Sequence, residues 1–371
     1  MKVASTLLAA SLAAFGAFGA SKSSVAIMTV LNSRASGSPK AYAEAMKTVA
    51  EDAERGCPVQ QFIMASMSDD RSMPRSLRLT PEKRAEYLAA SRPKIRDLAE
   101  RKSNPLAWYL LSLESNDMKL LKRAAEGGNV HALNAWGTMT LAKALSNSGT
   151  SETDLDRVME KSLGCFKRAA AEKDPNGLYN LGMCLMRGYG CVPDADKAFD
   201  CFKAAAEAGH PEAINNIGGF YRDGIVVEKD LVVAAKWFAK SAALENPYGE
   251  LNYALAILRG EGVEKDQPRA AAMLRDVAMQ GSPEAMNAYG MCLYNGEGVE
   301  KDQRAAVTWY TRAAELGFAV AMENLAECYD IGAGGLERNA QKGTIWRIRA
   351  RAARGDRNAM AWLTQNGHGM K

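Results

Sequence analysis

Pro175, Pro211, Pro247 and Pro283 stand 36 residues apart, and Ala319 continues the series. Laid in register they open four blocks without a gap, from PNGLYNLGMCLMRGYGCVPDADKAFDCFKAAAEAGH to PEAMNAYGMCLYNGEGVEKDQRAAVTWYTRAAELGF. A fifth block from Ala319 carries an insertion near Gly334-Gly335 and ends about Asp356. A period of this size means stacked supersecondary units, none of which buries its apolar face alone. Length would otherwise suggest two or three domains for 371 residues, but a repeat array has no single core to outgrow.

Each block reads as a helical hairpin. Counting the proline as position 1, apolar or small residues recur at positions 4, 7, 8 and 11, as in Leu178, Leu181, Gly182 and Leu185. That spacing is one stripe of an α-helix. Gly182, Gly218 and Gly290 at position 8 remove a side chain where a second helix must approach. Gly188, Gly224, Gly260 and Gly296 at position 14 suit the left-handed residue that ends a helix. Asp194, Asp230, Asp266 and Asp302 at position 20 are placed as N-caps of the second helix. Its stripe follows at positions 24, 28 and 31, for example Ala198, Phe202 and Ala205. The expected fold class is therefore all-α, a solenoid of antiparallel helix pairs without strands.

Composition narrows the function classes. At 47% apolar and 24% charged residues the chain is an ordinary folded protein, neither disordered nor collagen-like. Three histidines among seven cysteines argue against a dense metal site, and no cofactor is expected. A formal net charge of +4, with no aromatics interleaved among the arginines, disfavours a nucleic-acid partner.

The run L-G-x-x-Y, then G-x-G-V-x-x-D, then K-A-x-x-W-F-x-x-A-A-x-x-G resembles the Sel-1-like repeat, a relative of the tetratricopeptide repeat. YGMCLYNGEGVEKDQRAAVTWYTRAAELG, residues 289–317, is the clearest copy, and residues 175–356 match throughout. The resemblance implies a right-handed superhelix serving as a protein-interaction scaffold, with no conserved catalytic residue. It also implies that first helices line a concave groove where a protein or peptide partner binds. Positions 2, 5, 9 and 12 would then meet it, including Tyr179, Met183, Asn215, Arg222, Tyr248, Asn287, Met291 and Tyr294. Asn180, Asn216, Asn252 and Asn324 at position 6 read instead as an inter-repeat ladder, because buried amides need partners.

Degenerate copies precede the regular ones. Val130–Asp174 carries surplus residues in a polar turn, Pro105 opens a shortened copy, and residues 40–67 suggest another pair. Residues 68–104 are helical but irregular, with Pro93 expected to break the helix. The expected organisation is 40–174 degenerate repeats, 175–356 regular repeats, and 357–371 a capping helix and tail. Upstream, Met1-Lys2 followed by VASTLLAASLAAFGAFGA reads as a secretory signal over residues 1–20, with 21–39 a poorly ordered linker. No other apolar run approaches a spanning length of about 18 residues. The mature protein is thus expected in the periplasm or outside the cell.

Export would permit disulfides. Cys184 at the end of a first helix and Cys191 in the following turn are the candidate pair, the alternative being two core thiols. Exported cysteine-rich relatives staple every repeat, a regularity this chain lacks. Ser91-Arg-Pro-Lys94 is an S-x-x-K without the S-D-N and K-T-G motifs that accompany it in penicillin-recognising enzymes. A non-enzymatic scaffold is therefore expected. The competing class is an envelope protein recognising or hydrolysing cell-wall glycopeptide or β-lactam. His131 and His210 occupy repeat junctions and His368 the tail, where structural roles are favoured. Arg71, Arg75, Arg78, Lys83 and Arg84 form one basic region, and Arg347, Arg349, Arg351, Arg354 and Arg357 a second on the final hairpin. The second offers either an anionic envelope contact or a solvated face.

Overall fold

A computed structural model describes residue 30 and residues 39–67, 74–147 and 151–368. The signal segment 1–20 lies outside the described residues, as does residue 71 of the first basic region. Of the 21–39 stretch only Val30 and Pro39 are described, and Val30 is buried against the first core cluster with Tyr42, Met46 and Val49.

Regular structure among the described residues is entirely helical. The first compact unit, Met1–Lys229, holds α1 (Pro39–Glu54), α2 (Pro58–Met67), α3 (Pro81–Arg101), α4 (Pro105–Ser115) and α5 (Met118–Glu126). It continues with α6 (Val130–Ser146), α7 (Glu152–Ala171), α8 (Pro175–Arg187), α9 (Ala195–Glu207) and α10 (Pro211–Asp223). The second unit, Asp230–Lys371, holds α11 (Leu231–Ala242), α12 (Pro247–Arg259), α13 (Gln267–Met279) and α14 (Pro283–Asn295). It ends with α15 (Gln303–Glu315), α16 (Ala319–Ile331), α17 (Ala340–Ala353) and α18 (Arg357–Gln365). Within each unit successive helices pack against one another, the chain folding back on itself at every turn. No helix of the described residues is long and apolar enough to cross a membrane.

Local chemistry explains where the helices start and stop. Asp194, Asp230, Asp266 and Asp302 each accept a backbone N–H three residues on, as N-caps of α9, α11, α13 and α15. The first helices are capped from position 36: Asp174, His210, Asn246 and Ser282 accept from Gly177, Ala213, Gly249 and Ala285. Gly188, Gly224, Gly260 and Gly296 close α8, α10, α12 and α14 at φ of 72°, 69°, 73° and 80°.

Packing is denser than one stripe per helix. On the second helices, positions 24, 28 and 31 are buried as expected, for example Ala198, Phe202 and Ala205, or Ala306, Tyr310 and Ala313. On the first helices, position 8 is buried in every block, but so are positions 3 and 10, while positions 4, 7 and 11 vary. The cause is that each first helix is packed from two sides. A Cβ at Gly177, position 3, would meet the Ala169 carbonyl carbon of the preceding second helix at 2.7 Å. A Cβ at position 8 would meet the ring of its own partner: Phe202 at 2.8 Å from Gly182, and Tyr310 at 2.8 Å from Gly290.

One local expectation needs correction. Pro93 does not break its helix, because α3 runs from Pro81 to Arg101 through it. Its missing N–H would have bonded Ala89, and both residues are exposed, so water solvates the freed carbonyl. At position 16, Gly190, Gly262 and Gly298 take φ near 72°, yet Val226 holds the same site at φ 67°. A branched residue in that region costs about 1–2 kcal/mol.

Gly290→Val should lower the unfolding free energy by about 2–4 kcal/mol in denaturant titration, since the Tyr310 ring cannot retreat without opening the core. Gly219→Ala, where an added Cβ meets nothing within 4 Å, should be neutral or stabilising. Equal effects at the two sites would contradict the close approach at position 8.

Candidate functional site

A partner-binding residue must be accessible and free of a packing role. Of the eight first-helix residues singled out from the sequence, Tyr248 is 59% exposed and Met291 44%. Met183, Asn215, Arg222 and Tyr294 are half-buried. The Arg222 guanidinium is held by the neighbouring Asp223 through Nε and Nη2 at 2.7 and 2.8 Å.

Tyr179 and Asn287 belong to the packing instead. Tyr179 stacks on His210 with ring centroids 4.4 Å apart and planes 16° from parallel, and leans on Phe202 at 5.8 Å. Asn287 is buried and accepts from Asn324 Nδ2 at 2.7 Å. One block's position 5 is thus bonded to the next block's position 6. The same rung recurs where Asn180 Nδ2 donates to Asn134 Oδ1 at 3.4 Å. Asn134 then donates to Asp174 Oδ1 at 2.7 Å, the oxygen that caps α8 at Gly177. Where position 5 is Tyr179, Asn216 Nδ2 turns to Met183 Sδ at 3.9 Å. Tyr179 and Asn287 therefore leave the accessible set, each kept by a partner about one period further on.

The face that stays open is clearest on α14 and α16. Met291 lies across the rung, its Sδ 3.7 Å from Asn287 Nδ2. Tyr294, one turn on, sits 6.4 Å from the Tyr310 ring. Burial, then the nearby Cys328 and Glu327, hold its phenol above the ordinary value. Val320, 41% exposed, and the exposed Glu327 extend this surface on α16.

Other candidates are not assembled for chemistry. Ser91 is fully buried and donates to the Tyr87 carbonyl at 2.6 Å, while Lys94 is exposed, so the S-x-x-K pair does not meet. Cys184 and Cys191 are both free thiols, with Cys191 Sγ 3.6 Å from the Cys184 carbonyl oxygen. Burial, with Cys191 adding to it, pushes the Cys184 thiol up to about 12, which makes it a poor nucleophile. A cavity of about 520 Å³ between α9 and the preceding turn is lined by Leu181, Leu185, Cys191 and Cys201, among others. Among the described residues no three His, Cys, Asp or Glu side chains gather as metal ligands would.

Part of the basic final hairpin is paired within the chain. Arg347 pairs with Asp330, Arg351 with Asp356 at 2.6 Å, and Arg354 with Glu323 at 2.5 Å. Arg349 lies over the Trp346 ring at 4.7 Å. Three of the five arginines of this hairpin are thus held by intramolecular carboxylates.

A family model described as Sel1 repeat matches residues 143–174, 175–210, 211–246, 247–282, 283–318 and 319–352. No curated protein matches the chain in sequence. Among solved structures, a Sel1 repeat protein from Oxalobacter formigenes is similar at 24% identity, over 70% of this chain and 95% of that one, with a TM-score of 0.53. A protective antigen of uropathogenic Escherichia coli strains, displaying an SLR fold, is 24% identical over 86% of this chain and 67% of its own, with a TM-score of 0.51. These likenesses are likenesses of fold.

His210 gives the packing a pH dependence. Its Nδ1 accepts from Ala213 N–H at 3.3 Å, so the ring caps α10 only when that nitrogen is unprotonated. Burial lowers its pKa from 6.5 to about 4. Glu212, whose Oε2 lies 3.3 Å away, is itself raised by burial. Stability from neutral His210 is complete above about pH 6.5 and is lost as pH falls toward 4, by about 3 kcal/mol. His210→Asn keeps a cap of the kind Asn246 provides for α12. The variant should lose less stability than the parent between those pH values in chemical unfolding. Parallel pH profiles would show that His210 is not the titrating group.

Proposed function

This chain belongs to the Sel1 repeat family, and on that premise we propose that it is an exported, non-enzymatic scaffold whose first-helix faces hold a protein or peptide partner. Sel1 repeat proteins are in general protein–protein interaction scaffolds. The observation that carries the reading is the pair Tyr248 and Met291, large apolar side chains left exposed on first helices that are packed from two sides. Tyrosine and methionine supply large, adaptable contact area, the types that anchor interfaces. Their exposure serves no packing need, since the close contacts to the second helix run through position 8 and the inter-repeat bonds through positions 5 and 6. Export rests on Lys2 and the apolar run that follows it. The envelope-hydrolase reading loses its one candidate nucleophile, because Ser91 is buried and already hydrogen-bonded.

A photoreactive amino acid at position 248 or 291, expressed in the native cell, should crosslink one common partner. The same group at the exposed Leu316, at the end of α15, should not. Equal capture from all three positions, or none from the first helices, would overturn the binding-face reading. N-terminal sequencing of the mature chain should begin near Ser21, and an intact Met1 on cytosolic protein would overturn export.

A further inference from the structure

The sign of the open face points to its partner. Helices α14 and α16 carry Glu284, Glu323, Glu327 and Asp330 and not one Lys, Arg or His. This is a local imbalance in a chain whose net charge is positive. Arg354 and Arg347 of α17 hold Glu323 and Asp330. Among the described residues Glu284 is bonded by the Ser282 hydroxyl, at 3.1 Å, and by no cation, and Glu327 is exposed. The exposed Met291 and half-buried Tyr294 share α14 with Glu284, the exposed Val320 shares α16 with Glu327, and Glu327 lies close enough to Tyr294 to act on its phenol.

We propose that the α14–α16 face binds a cationic, partly apolar segment of a partner protein. The inference rests on the scaffold reading above and names the chemistry of its partner. A lysine or arginine side chain matches this arrangement in both of its parts. Its alkyl stem covers the Met291 thioether and the Tyr294 ring, while its charged head reaches Glu327 and also favours the ring face. An acidic segment would meet unmatched like charge, and a purely apolar one would desolvate Glu327 and Glu284 without a counter-charge. The methionine adapts to more than one side chain, so a family of basic-apolar segments fits better than one fixed sequence. The base of the site is fixed, because Asn287 under Met291 is bonded across to Asn324. The carboxylates at Glu323 and Asp330 contribute little, being already paired.

The test uses the full chain and three fluorescein-labelled synthetic peptides of equal length, patterned Lys/Leu, Glu/Leu and Lys/Ser. The Lys/Leu peptide should bind saturably, the Lys/Ser peptide more weakly, and the Glu/Leu peptide not at all. Glu327→Lys and Met291→Ala should each weaken Lys/Leu binding, the former by about tenfold or more, with the unfolding midpoint unchanged. Glu315→Lys makes the same change in net charge on α15 and should leave binding as it was. Undiminished binding by Glu327→Lys, or equal weakening by Glu315→Lys, would overturn the inference by showing that no local site is read. Binding of the Glu/Leu peptide as tight as that of Lys/Leu would overturn it too. If position 291 still crosslinks its partner in cells while these peptides fail, the partner chemistry is wrong and the scaffold reading stands. If both fail, the scaffold reading itself falls.

Discussion

The close approach of the two helices in each pair fixes nearly everything else. A glycine at position 8 lets an aromatic ring of the second helix lie against the first helix's backbone, as Phe202 does at Gly182 and Tyr310 at Gly290. With that contact set, the second helix buries positions 24, 28 and 31, and the next first helix packs onto its other side through position 3. Each first helix is therefore gripped twice, and its open residues, such as Tyr248, Met291 and Glu327, lie off the faces so used. Neither helix of a pair could bury its stripe in isolation, so the array's stability is a property of neighbours.

Polar groups at the junctions make the stacking specific. Asn324 to Asn287 and Asn180 to Asn134 are bonds between like amides one repeat apart, and a register slip would leave them unpaired in the interior. His210 combines three tasks, capping α10, stacking on Tyr179 and remaining uncharged. Its role depends on protonation, whereas Asn246 and Ser282 do the same capping elsewhere without titrating.

What was legible from the residues was whatever recurs within one block. The 36-residue period, the aspartate caps, the glycine stops and the second-helix stripe follow from chemistry between near neighbours in the chain, and all are present. The contacts that escaped a block-by-block reading lie between blocks. Tyr179 and Asn287 resembled open groove residues because their partners, His210 and Asn324, stand about one period further on. Burial at positions 3 and 10 escaped because one stripe was expected for a helix that is packed on two sides. Capping from position 36 recurs in four blocks, but through Asp, His, Asn and Ser, so identity disguised a shared role. Pairing of Arg347 and Arg354 with Asp330 and Glu323 joins two helices of one pair, and a count of arginines does not show it. Pro93 stays within its helix for a simpler reason that sequence does not show: both it and the residue whose carbonyl it frees are exposed to water.

The central claim is that packing and binding use separate strips of the same helices. Met291 and Glu327 lie on the open strip, one turn or less from residues that hold the array together. The direct measurement is the unfolding free energy of a chain carrying both Met291→Ala and Glu327→Gln. Separate strips predict a value within about 0.5 kcal/mol of the parent, as for surface substitutions generally. A loss of about 2 kcal/mol or more would place these side chains in the core and contradict a free binding face.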